Sequence, residues 1–114
     1  GVATYFYGSD RPGLNSAIGE TFAGLIQREI VARTDLVDCQ SHAKTWDLLR
    51  HTRMAAVRVE LGYITNERDA ARLADPDFRD VVAEAIVVAV QRVYLPSHED
   101  VQTGALRLRD LADA

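Results

Sequence analysis

Cysteine, basic charge and long apolar runs are all scarce in this sequence. The lone cysteine, Cys39, leaves no disulfide to form within the chain, so a packed core must hold the fold together. The longest apolar run, residues 85–90, is far shorter than the roughly 20 residues of a membrane-spanning helix, so we expect no membrane span. Basic residues number 13 against 17 acidic ones, a net charge of −4, which disfavours nucleic acid as a partner.

The remaining composition is sufficient for one globular domain. The 114 residues are 47% apolar and 26% charged, which excludes disordered and low-complexity chains. The chain opens at Gly1 without an initiator methionine, a basic stretch or a signal-peptide core. We therefore expect a processed chain or a fragment.

The order of the expected elements predicts the fold class. Residues 2–7 are β-branched and aromatic, which predicts a strand, and residues 15–34 predict an amphipathic helix with one buried side. Residues 46–51 and 56–61 are expected to form two short strands separated by a turn. This order is typical of an α/β domain with a mixed, mostly parallel sheet flanked by helices. Three strands are few for such a sheet, so we expect its N-terminal strands to lie in sequence before Gly1.

Capping signals mark two further helices. Asn66 is a favourable N-cap for a short helix to about residue 74, and Asp75 followed by Pro76 is typical of a helix start. The helix that follows runs to about residue 95 and carries a wide apolar stripe, which we expect to pack on the sheet. Residues 96–114 are polar, so we divide the chain into a domain at residues 1–95 and a C-terminal tail.

Glu60 is the candidate catalytic residue. It ends an alternating strand whose polar face also carries Arg58, and Gly62 follows closely. Ligands of open α/β sheets bind outside the carboxyl ends of the strands, where a carboxylate can act as a general base or acid. The alternative is that Glu60 pairs with Arg58 or Arg50 on a solvated surface.

Metal-binding side chains are few and scattered. The spacing of His42, His51 and His98 matches no compact ligand motif, and Cys39 with His42 makes only one candidate pair. A zinc site needs at least three converging ligands, so we expect histidines in loops rather than a metal centre built by this chain.

A locally basic segment lies inside the acidic chain. Between His42 and Arg58, four cations face only one acid, Asp47: the cations are Lys44, Arg50, Arg53 and Arg58. Such a cluster is suited to an anionic substrate or an acidic partner, and an ordinary solvated edge is the alternative. Trp46, within this segment, is expected to be a core residue rather than a platform for a sugar.

The segment at residues 48–66 reads Leu-Leu-Arg-His-Thr-Arg-Met-Ala-Ala-Val-Arg-Val-Glu-Leu-Gly-Tyr-Ile-Thr-Asn. It resembles the carboxyl-terminal signature of the amidase-3 family of zinc-dependent N-acetylmuramoyl-L-alanine amidases. Members of that family have a Leu-Arg pair, a Met-Pro-Ala-Val turn, a strand end Val-Glu-x-Gly-Phe, and then Ser-Asn. The likeness continues through Asp75, Pro76 and the helix that follows, and it extends back to the opening strand, so it covers about residues 1–95.

The resemblance implies a peptidoglycan hydrolase that cleaves the amide between N-acetylmuramic acid and the L-alanine of the stem peptide. The residue that matches the family's catalytic glutamate is Glu60. The family's zinc ligands, a His, a Glu and a second His, belong to the part of the domain before the opening strand, so this chain alone is expected to be incomplete and inactive. Ala55, Tyr63 and Thr65 depart from the family's Pro, Phe and Ser, which changes turn rigidity and packing but not the chemistry.

Residues 31–34 and 42–50 are most similar to an actinobacterial subgroup of the family. That likeness implies the alternative function of a catalytically silent, amidase-like regulator that binds an enzyme of cell-wall precursor synthesis. Phosphorylation of the tail would be one means of control, and Thr103 is its only threonine. The hydrolase implies a location in the cell wall, outside the cytoplasm, whereas the regulator implies the cytoplasm.

Overall fold

Strands and helices alternate along the chain in the computed structural model, which describes residues 1–9, 15–51, 54–94 and 102–107. The elements are β1 (Val2–Tyr7), α1 (Ala17–Arg33), β2 (Asp38–Lys44), α2 (Asp47–Arg50), β3 (Val57–Glu60), α3 (Glu67–Ala74) and α4 (Pro76–Tyr94). No helix within these ranges combines the length and the apolar character needed to cross a membrane.

The described strands form one sheet in the order β2-β1-β3. Strand β1 pairs with β2 in parallel, with Tyr5 opposite His42, and with β3 in antiparallel, with Ala3 opposite Glu60. The predicted mixed α/β class is confirmed. In the described part of the chain the sheet has one parallel and one antiparallel pairing.

Helix α1 packs on the sheet through polar as well as apolar contacts. Its buried Gln27 accepts a hydrogen bond from the Thr4 hydroxyl at 2.9 Å and donates to the Val2 carbonyl and to Asp38, each at 2.8 Å. One amide thus connects α1 to both β1 and β2. The helix begins where Ser16 accepts a hydrogen bond from the Gly19 amide, which satisfies one of the free N–H groups of its first turn.

The prediction of a strand at residues 46–51 is wrong. Its residues form the single helical turn α2 after Trp46, and the strand that is present, β2, precedes it. Strand β2 escaped prediction because it is largely solvent-exposed and pairs on one side only within the described sheet, so it needs no alternation of apolar and polar residues. A register irregularity accompanies Gln40, which has a φ of 65°.

The long final helix is confirmed, but its expected packing partner is not. Helix α4 begins at Pro76 after Asp75, whose side chain accepts a hydrogen bond from the Asp77 amide. It packs mainly on α1 and makes few contacts with the described strands. The shared core joins apolar side chains of β1, α1, the segment after α1, and α4: Val2, Leu25, Ile26, Ile30, Leu36, Val82, Ala85 and Ala89.

Helix α1 is buried on two sides, not on one as its sequence pattern predicts. On the side toward α4, buried Glu29 accepts a hydrogen bond from Arg92 at 2.8 Å and pairs with Arg33 at 2.9 Å. Arg33 also reaches Glu84 of α4 at 2.7 Å. Buried charges are tolerated only when they are paired in this way, so these groups form a polar connection between the two long helices.

Part of the expected tail contributes to the same network. The Gly104 amide donates to Glu29 at 3.0 Å, Arg92 donates to the Thr103 hydroxyl at 3.1 Å, and Arg33 donates to the Leu106 carbonyl. Residues 102–107 therefore lie against α1 and α4. The proposed boundary at residue 95 falls outside the described residues and stays a prediction.

We predict that Glu29→Gln lowers the free energy of unfolding by about 3 kcal/mol, because it removes the buried carboxylate that pairs with both Arg92 and Arg33. Urea unfolding followed by circular dichroism measures this as a lower midpoint at an unchanged slope. The matched control is Asp80→Asn, which removes an exposed carboxylate of α4 and should shift stability by less than about 0.5 kcal/mol. Equal midpoints for the two variants would contradict the role assigned to Glu29.

Candidate active site

The two faces of the sheet carry different chemistry. Residues directly opposite each other in a ladder share a face, and successive residues of a strand alternate between faces. Thr4 and its partner Val59 face α1. The other face, called the polar face below, carries side chains of all three strands: Tyr5, Tyr7, His42, Lys44, Arg58 and Glu60.

Glu60 lies on the polar face at the last residue of β3. Because β3 runs antiparallel to β1, Glu60 lies beside Ala3, at the amino end of β1, and the parallel strands β1 and β2 end at the opposite edge. Glu60 is at the carboxyl end of its own strand, as expected, but at the edge of the sheet where β1 and β2 begin.

Two neighbours hold the Glu60 carboxylate. Its Oε1 atom lies 3.3 Å from Nη2 of Arg58, and the Tyr5 phenol is close enough that the charge of Glu60 raises its pKa. The alternative interpretation of Glu60, an ion pair with Arg58 on a solvated surface, is thus present in the structure. With side-chain exposures of 29% and 49%, such a pair contributes only about 0–1 kcal/mol, so the carboxylate can exchange this partner for another.

Tyr5 is the residue of this cluster that sequence reasoning missed. Its ring centroid lies 4.8 Å from that of Trp46 and 5.7 Å from that of His42, so aromatic contacts position the phenol. Burial raises the pKa of Tyr5, and the negative charge of Glu60 raises it further. The available sequence signal was the alternation of residues 2–7, which places Tyr5 and Tyr7 on one face.

The turn after Glu60 is built around Gly62 and Asp69. Gly62 has a φ of +96°, and a Cβ there would lie 2.8 Å from Oδ2 of Asp69, so a side chain is excluded by conformation and by space. Asp69 accepts a hydrogen bond from the Tyr63 amide at 3.1 Å, and its own amide donates to the predicted cap Asn66.

The described residues do not fit a zinc ion. They contain no group of three or more His, Cys, Asp or Glu side chains that converge as metal ligands would. His42 points Nε2 at the Cys39 carbonyl, 2.6 Å away, and His51 lies 3.7 Å from Asp47 in an exposed pair. His98 lies outside the described residues.

Two surface cavities are found away from Glu60. One lies between α1 and α4 and is lined by Ile18, Phe22, Met54, Ala55, Val90, Val93 and Tyr94. The other adjoins it beside Tyr7, Leu49 and Arg50. Glu60 lines neither of these two cavities, and its side chain is partly exposed.

Of the basic segment, the structure brings Lys44 and Arg58 together near Trp46. Arg50 lies on α2, and Arg53 is outside the described residues. Trp46 is half-buried and precedes a helical turn, so the prediction that it belongs to an apolar strand is wrong.

The fold and the Glu60 segment define the protein as an α/β amidase-type domain, and comparison with known proteins agrees. The family model for N-acetylmuramoyl-L-alanine amidase matches residues 1–92. The chain therefore belongs to the amidase-3 family of N-acetylmuramoyl-L-alanine amidases. This family is generally zinc-dependent.

A relative from Mycobacterium tuberculosis (strain H37Rv), N-acetylmuramoyl-L-alanine amidase CwlM, is 48% identical over 111 residues, which is 97% of this chain and 27% of CwlM. A solved amidase from Clostridium difficile 630 superposes with a TM-score of 0.70 at 22% identity, which shows the shared fold. The amidase AmiC2 of Nostoc punctiforme superposes with 0.68 at 25% identity. Each structural match covers 81% of this chain and 47% of the other.

The chain thus spans about a quarter of CwlM and about half of the solved amidase chains. These relatives bear the names of amidases, so the comparisons do not favour the silent regulator. Thr103, the residue singled out for that alternative, is half-buried and hydrogen-bonded to Arg92.

We predict that Glu60→Gln lowers the pKa of Tyr5 toward its ordinary value of 10.0 without reaching it, because the charge disappears while burial remains. In the parent chain, the raised pKa stabilises the fold below pH 10.0, and this contribution is lost as the pH rises through the folded-state pKa. Ultraviolet titration of tyrosinate absorbance, with Tyr5→Phe identifying the Tyr5 component, measures the change. Glu67→Gln removes an exposed acid of α3 and serves as control; an identical Tyr5 titration in both variants would refute the contact.

Proposed function

We propose that this chain is the part of a peptidoglycan amidase that supplies the acid/base carboxylate. The bond cleaved is the amide between N-acetylmuramic acid and the L-alanine of the stem peptide. The observation that carries the proposal is the position of Glu60, half-exposed on the polar face within the segment that matches the amidase family. Such an enzyme would act where peptidoglycan lies, in the cell wall.

The proposed role of Glu60 is proton transfer. Hydrolysis of an amide requires that a water molecule lose a proton as it attacks the carbonyl carbon and that the leaving nitrogen gain one as the C–N bond breaks. A single carboxylate next to both atoms can accept the first proton and return it to the nitrogen. Glu60 is suited to this because solvent and substrate can reach its oxygens.

Tyr5 and Arg58 support this role by orienting the carboxylate. The phenol and the guanidinium approach Glu60 from β1 and from β3 itself, so the carboxylate has defined neighbours while it remains accessible.

We also propose that the zinc of the family is held by residues outside this chain. The described residues provide no converging ligand set, and the chain spans less than half of the solved amidases it matches. When bound, such an ion supplies activation of water for attack. This chain would then contribute Glu60 and the surface around it.

We predict that Glu60→Gln lowers the rate of stem-peptide release by about 10²–10⁴-fold in a zinc-loaded, full-length protein that carries this sequence, because the amide cannot transfer the proton. Release from N-acetylmuramoyl peptide is measured by chromatography. Glu67→Gln, an exposed glutamate on α3, should keep the parent rate. A Glu60→Gln protein as active as the parent would exclude Glu60 as the acid/base group.

We predict further that the 114-residue chain alone keeps much less than one equivalent of zinc after dialysis, because fewer than three ligands converge in its described part. Elemental analysis of the dialysed chain measures the ratio, with a folded zinc protein of similar size dialysed in parallel. About one zinc per chain would overturn the assignment of the ligands to residues elsewhere.

A further inference from the structure

Two cations from different strands meet at one indole ring on the polar face. The Lys44 Nζ atom of β2 lies 5.7 Å from the ring centroid of Trp46, and the Arg58 guanidinium carbon of β3 lies 5.2 Å from it. Trp46 in turn contacts Tyr5 of the central strand. The ring therefore contacts two positive charges that come from the strands on opposite sides of β1.

Lys44 and Arg58 both have N–H donors available for a ligand. Within the part of the chain that the structure describes, Lys44 has its contact with Trp46 but no carboxylate within 4.0 Å. Arg58 has five N–H donors and makes one contact of 3.3 Å, to Glu60. Both side chains are exposed, so a ligand can reach them.

The charge distribution favours an anion at this place. The chain as a whole carries a net charge of −4, yet Glu60 is the one acid among the side chains of the polar face, and Asp47, which follows Trp46, is an exposed residue of α2. An anion bound beside the Trp46 ring would interact favourably with both positive charges. The ring also offers an apolar surface for the carbon atoms of the ligand.

We propose that Lys44, Arg58 and Trp46 form a subsite for a carboxylate of the peptide part of the substrate. This inference rests on the proposed function and deepens it: the peptide, and not the sugar, occupies this side of Glu60. Arg58 connects the subsite to the reaction centre because the same guanidinium contacts Glu60. A carboxylate bound here extends the peptide from the amide nitrogen at Glu60 toward Trp46.

The experiment uses the fluorescence of Trp46, the only tryptophan of the chain. The probes are N-acetylmuramoyl-L-alanyl-glutamate and its uncharged diamide. We expect saturable binding of the diacid to the 114-residue chain, weakened by added salt, and about tenfold weaker binding of the diamide. Calorimetry of the same pairs provides a second measurement that does not depend on the indole.

The variants are Lys44→Gln and Arg58→Gln, and each should weaken binding of the diacid about fivefold while leaving the diamide unaffected. Lys44→Gln is the sharper test, because Lys44 has no contact with Glu60. Arg28→Gln, an exposed arginine of α1 far from the polar face, should bind as the parent does.

Equal affinity for diacid and diamide would overturn the subsite, and so would parent affinity in both variants. Equal binding of N-acetylglutamate, which lacks the muramoyl group and the alanine, would reduce it to a nonspecific anion patch and also overturn it. In the full-length hydrolase, loss of activity in Glu60→Gln with an unchanged KM in Lys44→Gln would refute the subsite but leave the proposed function standing. If the full-length protein binds the diacid but does not hydrolyse the amide, the proposed function is refuted and the subsite stands.

Discussion

The register between β1 and β3 is the constraint on which the candidate site depends. It places Ala3 opposite Glu60 and Tyr5 opposite Arg58, so the phenol, the guanidinium and the carboxylate share one face. A slip of one residue would turn β3 over and direct Glu60 toward α1. Val57 and Val59, which contribute to the core beneath α1, prevent that slip, because it would expose both valines and bury two charged side chains.

Helix α1 stabilises this register because it packs on the central strand β1 from the face opposite the polar face. Gln27 joins the backbone of β1 to β2, and the same helix contributes Glu29 to the buried charges shared with α4. The sheet side of α1 thus determines where β1 lies, and its other side determines where α4 and residues 102–107 lie. Packing and polar contacts of one helix therefore support a surface that the helix does not touch.

Local signals in the sequence were sufficient for the elements but not for their partners. The opening strand, both capped helices and the strand ending at Glu60 follow from side-chain spacing, from Asn66 and from Asp75 with Pro76. Strand β2 has no such signal, because an exposed strand at a sheet edge is not required to be apolar. The packing of α4 on α1 was not predicted, because an apolar stripe shows that a helix is buried but does not identify the element it packs against.

The same limit applies to the candidate site. Glu60 could be chosen from alternation and from its segment, since both lie within a few residues of it. Tyr5 could not, because it lies 55 positions away and reaches Glu60 only through the pairing of β1 with β3. Lys44 and Arg58 were predicted to belong to a basic segment. That both contact Trp46 could not be predicted, because the contact depends on the turn from β2 into α2, where a strand was expected.

Exposure explains how Glu60 can be paired with Arg58 and still be suited to proton transfer. A buried ion pair would bind the carboxylate strongly, and separating it would leave a desolvated charge. On the half-exposed polar face, water compensates each partner, so the pair orients Glu60 and yields when another group approaches. The guanidinium released from Glu60 is then free to turn its donors toward an anion beside Trp46. An exposed pair of this kind relates the proposed acid/base group to the neighbouring cations, because Arg58 contacts both Glu60 and the Trp46 ring.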